Sequence, residues 1–164
     1  MDTITLTEAD IWSVLATVKD PEIPVLSLLD MGMITKVECT GSIASVTMTP
    51  TFVGCPAINV MKKDIHDAVK SLGFEEVTVI ADLETTWNSN RMSPEAKEKL
   101  EKFGIAPPVA YKDEELSLEM LDRVRCPHCG STDTTLRSSF GSTLCRAIRF
   151  CFSCKQGFEQ FKPV

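Results

Sequence analysis

The sequence predicts an α+β fold: a small α-β-β-α-β domain, then a linker helix, then a C-terminal four-cysteine ribbon. Three observations predict it. Apolar residues recur at helical spacing in two N-terminal stretches, three short apolar stretches between and after them are patterned as strands, and two Cys-x2-Cys pairs stand near the C-terminus. The 164 residues suit one medium domain or a small domain with an appendage, and a hydrophobic content of 43% is enough to bury a conventional core.

Thr7 followed three residues later by Asp10 opens the first helix as a capping box, and Ile11, Val14, Leu15 and Val18 give it one apolar face that ends by Lys19. Asp20-Pro21-Glu22-Ile23-Pro24 then permits only a fixed, extended loop, because each proline locks its own φ and restricts the residue before it. Ile34 to Cys39 and Ile43 to Thr49 form a hairpin around Thr40-Gly41-Ser42. Pro56 suits the first turn of a second helix that runs to about Leu72 and stops at Gly73, with Ala57, Val60, Met61, Ile65, Ala68, Val69 and Leu72 on its buried face. Val77 to Leu83 supplies the third strand. Ser93-Pro94-Glu95 opens a further helix that closes near Gly104, and the prolines and acids from Pro107 to Leu118 read as a linker. The expected divisions are 1–90 for the α+β domain, 91–122 for the helix and linker, and 123–164 for the ribbon. No internal repeat occurs.

Charge divides the chain at the same place. Residues 1–122 carry 10 lysines and arginines against 21 acids, a net of −11, whereas 123–164 carry 7 against 2, a net of +5. The basic segment has three natural counterparts: nucleic acid, an acidic protein, or the acidic body of its own chain. Nucleic acid is disfavoured, since the cations are few and no cluster of them interleaves with aromatics along a groove. No stretch approaches the roughly 20 apolar residues of a membrane span. Met1 to Asp10 is polar and acidic where a secretory signal is basic and then apolar, so a cytoplasmic protein with no membrane partner is expected. In that reducing compartment seven cysteines are metal ligands or reactive thiols rather than a disulfide framework.

Cys126-Pro127-His128-Cys129 and Cys151-Phe152-Ser153-Cys154 are two knuckles with 21 residues between them. Each tight turn lets both of its thiolates reach one ion, and two pairs close a tetrahedral sulfur site with no position left for substrate. Such a site is structural, and zinc is the expected occupant of this four-cysteine zinc ribbon. Four thiolates also suit iron. So small a segment, with Phe140, Leu144, Ile148, Phe150, Phe152 and Phe158 as its main apolar content, needs the ion's binding energy to fold. Cys145 is left over as a buried structural cysteine or an accessory thiol.

Cys55, between Gly54 and Pro56, falls at the expected N-cap of the second helix, where free N–H groups and the helix dipole favour a thiolate. A plain packed cysteine is the alternative, and so is thiol exchange with Cys39 or Cys145. The Asp20 to Pro24 loop is a second source of ligands if it brings Asp20 and Glu22 to the same end of the sheet. His66 is given no role. Trp12 and Trp87 are core or interface residues, and Trp87 with Met92, placed in an exposed loop, leaves room for a homodimer contact. No phosphate loop, dinucleotide fingerprint or hydrolase elbow is present.

Asp20-Pro21-Glu22-Ile23-Pro24-Val25-Leu26-Ser27, Asp30-Met31-Gly32-Met33-Ile34, Val46-Thr47-Met48-Thr49-Pro50-Thr51 and Gly54-Cys55-Pro56 together resemble the SufT-like family of iron-sulfur cluster assembly. With the C-terminal cysteines, Phe140-Gly141-Ser142-Thr143 and Cys145, the whole chain resembles the PaaD family of aerobic phenylacetate degradation. That resemblance implies a non-catalytic accessory subunit of 1,2-phenylacetyl-CoA epoxidase, a multicomponent di-iron monooxygenase. Its implied partners are the oxygenase subunits, the ferredoxin-type reductase and the iron-sulfur assembly machinery. It also implies a maturation role in which Cys55, with Asp20 and Glu22, transiently holds iron or an iron-sulfur cluster for delivery. A stoichiometric structural subunit is the alternative. The residues agree that the chain is not the oxygenase, because no Glu-x-x-His of a di-iron carboxylate site occurs.

Overall fold

The computed structural model describes residues 5–111, 122 and 124–164, which fall into two compact units, Met1–Trp87 and Asn88–Val164. The first unit begins with α1 (Glu8–Leu15), whose capping box is complete: the Asp10 N–H donates to Thr7 Oγ1, and the Thr7 N–H donates to Asp10 Oδ2 at 2.8 Å. The helix ends four residues before the expected Lys19. Beyond Leu15 the Thr17 and Val18 N–H groups bond three residues back, and Lys19 and Leu28 are drawn into extended pairing, Lys19 with Ser27 and the Leu28 N–H with the Val18 carbonyl. Helical periodicity in the side chains therefore outlasts the helix.

Strands β1 (Ile34–Thr40) and β2 (Ile43–Met48) pair antiparallel around Gly41, which takes φ +59° in the tight turn. Helix α2 (Ile58–Lys70) carries the crossover to β3 (Glu76–Ala81), which lies parallel to β2 with Val46 opposite Val79. The sheet order is β1-β2-β3. Ile11 and Leu15 of α1, Ala44, Val46 and Met48 of β2, and Met61, Ile65 and Val69 of α2 form the core with Ile23, Leu26, Leu28, Met31 and Met33 of the intervening loops. Val60, expected on the buried face of α2, is instead 48% exposed. Met61, Ile65 and Val69 already follow one narrow stripe at i, i+4 and i+8, and Val60 lies off it.

Trp87 is buried, not exposed, and its indole N–H donates to the Met31 carbonyl at 2.8 Å. Met92 is buried as well. The dimer contact expected of these two side chains therefore has no exposed surface to act through.

The second unit contains a short 3₁₀ turn (Ser89–Arg91), α3 (Pro94–Phe103), and a sheet of β4 (Ile105–Ala106), β5 (Thr134–Ser138), β6 (Arg146–Cys151) and β7 (Gly157–Phe161) in the order β4-β7-β6-β5. Ser93 caps α3 by accepting from the Ala96 N–H, and Gly104 closes it at φ +93°. The chain then adds β4 parallel to β7, so the helix is covalently and structurally continuous with the ribbon sheet. The 112–121 part of the expected linker and the expected first ribbon residue, 123, lie outside the described residues. No helix among the described residues is long and apolar enough to cross a membrane.

Candidate metal centre and the Cys55 loop

The two knuckles are built alike. After Cys126 the chain turns through Cys129 so that the Gly130 N–H donates to the Cys126 carbonyl at 2.9 Å, with Gly130 at φ +76°. After Cys151 the Lys155 N–H donates to the Cys151 carbonyl at 3.0 Å, with Lys155 at φ +61°. Each turn needs a left-handed residue, and only the first uses glycine for it. Ser131 Oγ and Ser153 Oγ, 2.7 Å apart, tie one knuckle to the other.

All four Sγ atoms lie within 4.8 Å of one another, with Cys126 to Cys154 at 3.8 Å and Cys129 to Cys151 at 3.6 Å. A tetrahedron with zinc-sulfur bonds of about 2.3 Å has sulfur-sulfur edges of about 3.8 Å. The cage thus has the dimensions of the ion. Burial pushes the Cys154 thiol up to about 12, whereas N–H groups of Cys154 and Ser153 bring Cys151 down to about 7. Four thiols so close ionise together only around a cation, and a zinc ion held by Cys126, Cys129, Cys151 and Cys154 would supply that charge and fix the ribbon. Ala106, Val124, Cys126, Cys151 and Phe158 pack into the adjoining core. Of the apolar residues expected to build the ribbon core, Phe140, Leu144, Ile148 and Phe152 are exposed instead. Their place is taken by β4 and the ligand cysteines themselves.

Cys55 lies in the loop after β2, its N–H donating to the Phe52 carbonyl at 3.1 Å and its carbonyl accepting from Ile58. It is not the N-cap of α2, which is Ala57 with no side-chain cap. The thiol is half-buried, and burial raises its pKa; N–H groups of Ala57 and Ile58 pull it back, and the charges of Glu22 and Asp20 raise it further. The expected thiolate is therefore a thiol with a raised pKa. Desolvation and two carboxylates outweigh the backbone dipoles.

The charges of Glu22 and Asp20 act on the Cys55 thiol in the direction that favours its protonated form. They do not form a preassembled cage: among the described residues the four ribbon cysteines are the group gathered closely enough to hold an ion. Asp20 is also occupied structurally, since its Oδ1 accepts from the N–H groups of Glu22 at 2.7 Å and Ile23 at 2.8 Å. Cys39 and Cys55 stand at different ends of the β1–β2 hairpin. Cys39 pairs with Ala44 near the turn, while Cys55 lies in the loop beyond Met48, which is about 14 Å of strand from Ala44.

Sequence reasoning missed the tie that shapes the Phe140–Thr143 loop. Glu159 accepts from the Ser142 N–H at 2.7 Å and from Arg146 Nη1 at 2.9 Å, and a Cβ on Gly141 would come within 2.8 Å of the Glu159 carboxylate. Glu159 is the lone acid within β7, and an isolated charge in a strand next to an arginine-bearing one was the available signal. Cys145 is half-buried beside this loop, its Sγ 3.1 Å from Thr143 Oγ1.

A family model described as an iron-sulfur cluster assembly protein matches residues 8–80, and one described as the PaaD zinc beta ribbon domain matches residues 112–162. An Escherichia coli protein described as a putative subunit of 1,2-phenylacetyl-CoA epoxidase is 40% identical over 155 residues, covering 94% of this chain and 92% of that protein. An Fe-S protein maturation auxiliary factor of Porphyromonas gingivalis is 40% identical over 92 residues, covering 55% of this chain and 87% of its own length. Among solved structures, a domain of unknown function, DUF59, from Bacillus anthracis is similar at 27% identity and TM-score 0.53, over 57% of this chain and 90% of that one. A conserved hypothetical protein from Thermotoga maritima is similar at 29% identity and TM-score 0.52, over 62% and 97%. With one relative matched along nearly the whole of both chains and both parts of the sequence matched by their own models, the chain belongs to the PaaD family, an iron-sulfur-assembly domain joined to a zinc ribbon.

Proposed function

We propose that this protein is a non-catalytic maturation factor of the phenylacetyl-CoA epoxidase system, aiding insertion of iron or an iron-sulfur cluster into the reductase or oxygenase. The observation that carries the reading is the half-buried Cys55 thiol flanked by the charges of Glu22 and Asp20, in a domain of the iron-sulfur assembly type. A thiol with a raised pKa keeps its proton at neutral pH and gives it up when a cationic centre arrives, which suits a ligand that must load and unload. Iron or the cluster is cargo here. Glu22 and Asp20 are the carboxylates that would join Cys55 in holding it. The ribbon, closed around its zinc, serves to dock rather than to react.

A second reading, a stoichiometric structural subunit of the epoxidase, is favoured by the same raised pKa, which also describes an inert packed cysteine. The two readings separate in cells lacking this protein that express the epoxidase subunits and reductase. These cells are complemented with wild type or Cys55→Ser, and iron and sulfide are measured in the purified reductase and iron in the oxygenase. Maturation predicts metal loss that wild type restores and Cys55→Ser does not. Equal metal content in all three backgrounds, with this protein co-purifying in the complex, would establish the structural role instead.

A further inference from the structure

The sheet of the first unit has two edges that are finished differently. On the β1 side the ladder shifts register between Ile34 and Lys36, and Lys36 pairs with Glu38 at 2.8 Å, so that edge carries a kink and charge. On the β3 side the register with β2 runs unbroken from Glu76 to Ala81, and the strand holds no lysine, proline or bulge. The N–H groups of Glu76 and Asp82 donate to the carbonyls of Ser42 and Met48 on the β2 side. Strand alternation therefore turns the backbone of Thr78 and Ile80 toward β2 as well, and the N–H and C=O groups of Val77, Val79 and Ala81 away from it. Among the described residues no strand pairs with that outer side.

The side chains of the same three residues mark a core left open at its margin. Val77, Val79 and Ala81 stand opposite Ala44, Val46 and Met48, each fully buried, yet they are themselves only partly covered. On the other face of the strand Glu76, Thr78 and Ile80 are exposed. We propose that the β3 edge receives an extended segment of a partner protein as a fourth, antiparallel strand, with apolar side chains on the α2 side and basic residues at both ends. Antiparallel pairing lets Val77, Val79 and Ala81 each exchange both backbone bonds with one residue of the guest, and sets that residue's side chain on the same face, over the half-covered valines. Charge fixes the ends. Glu76 is exposed at one, and at the other Asp82, whose Oδ1 accepts from the N–H groups of Glu84 and Thr85, is followed by exposed Glu84. A guest residue opposite Glu76 or Asp82 is favoured by positive charge and opposed by negative charge. A second copy therefore fits poorly: β3 paired with itself through the same three residues sets Glu76 against Asp82 of the other copy at both ends. This edge is independent of the role given to Cys55.

The test is amide hydrogen exchange and chemical-shift titration of the zinc-loaded full chain with three synthetic peptides. The first is Lys-Val-Thr-Val-Thr-Val-Lys, which brings valines opposite Val77, Val79 and Ala81 and lysines opposite Glu76 and Asp82. The second has glutamate for both lysines, and the third has an N-methyl group on every valine. In the free chain the amides of Val77, Val79 and Ala81 should exchange faster than those of Thr78 and Ile80. The lysine peptide should slow the three outer amides by about tenfold or more at saturation, with its shifts centred on β3. The glutamate peptide should bind about three- to tenfold more weakly, and the N-methylated peptide, which cannot donate at the paired positions, should not bind. Val79→Pro removes an outward N–H and none from the β2 ladder, so it should abolish binding while the β1 and β2 signals persist. The N-methylated peptide makes the same test on the wild-type chain, whatever the proline does to the sheet. No slowing at the three amides, equal binding of the lysine and glutamate peptides, or undiminished binding of the N-methylated peptide would overturn the proposal. Slowing that rises with protein concentration in the absence of peptide would overturn it too, by giving the edge to a second copy.

Discussion

Lys155 holds a left-handed backbone at φ +61° in the position where the first knuckle uses Gly130. An L side chain there costs about 1 kcal/mol, so Lys155→Gly is expected to raise the stability of the zinc-loaded ribbon by up to that amount, read as a higher thermal midpoint. An unchanged or lower midpoint would mean that the turn tolerates its lysine. Glu159 makes a second prediction. Burial alone would raise its pKa, but the Ser142 N–H and Arg146 bind the ionised form more strongly and hold it below the ordinary carboxylate value. A depressed folded-state pKa contributes stability that is present above the unfolded value of about 4.3 and is lost as pH falls through the folded value. Glu159→Gln should therefore lower stability at pH 7 by about 0.5–1 kcal/mol, on the scale of a partly solvated pair. The difference from wild type should shrink in acid, and a difference independent of pH would assign the loss to loop packing instead.

At the scale of the element, α1 has only 8 residues and depends on its ends and its buried face rather than on propensity. Removing its cap by Thr7→Ala takes away one half of the reciprocal box and should cost about 1 kcal/mol in the unfolding of the first unit, measured by denaturant titration. No change would place all of the helix's stability in Ile11 and Leu15, both fully buried. Helix α2 shows the converse. It lacks a side-chain cap, and its register is set by Met61, Ile65 and Val69 meeting the sheet. The loop that carries Cys55 therefore enters a helix fixed from the far side, with the first N–H groups of that end, at Ala57 and Ile58, turned toward the thiol.

For the whole molecule the two compact units predict two responses to chelation. Structural zinc in small four-ligand modules contributes roughly 10–16 kcal/mol of apparent binding energy, more than so small a ribbon core can replace. Stripping the ion is expected to collapse the amide signals of β5, β6 and β7 while those of β1 and β2 persist, read by nuclear magnetic resonance at neutral pH. Survival of the ribbon signals in the stripped protein would show that its core folds alone. Metal loading must expel thiol protons, the one on Cys154 with a pKa pushed up to about 12 foremost, so apparent zinc affinity should fall as pH falls. A proton count near zero on zinc titration would contradict this.

The sequence by itself determined the local elements and the metal centre. Thr7 with Asp10, Gly41, Gly73, Ser93 with Pro94, and Gly104 mark turns and helix ends that depend on neighbouring residues alone, and knuckle spacing fixes where two thiolates can converge. Even the meeting of the knuckles was legible, because only one arrangement satisfies four thiolates. What tertiary structure decided was every property that depends on distant chain: the two-residue strand β4, too short to carry a pattern, the burial of Trp87 through the Met31 carbonyl, and the exposure of Val60. The pKa of Cys55 belongs to the same class. Its helix-proximal N–H groups were visible in sequence, but the burial that outweighs them, and the Glu22 and Asp20 charges that add to it, depend on chain distant in sequence, which a local pattern does not carry.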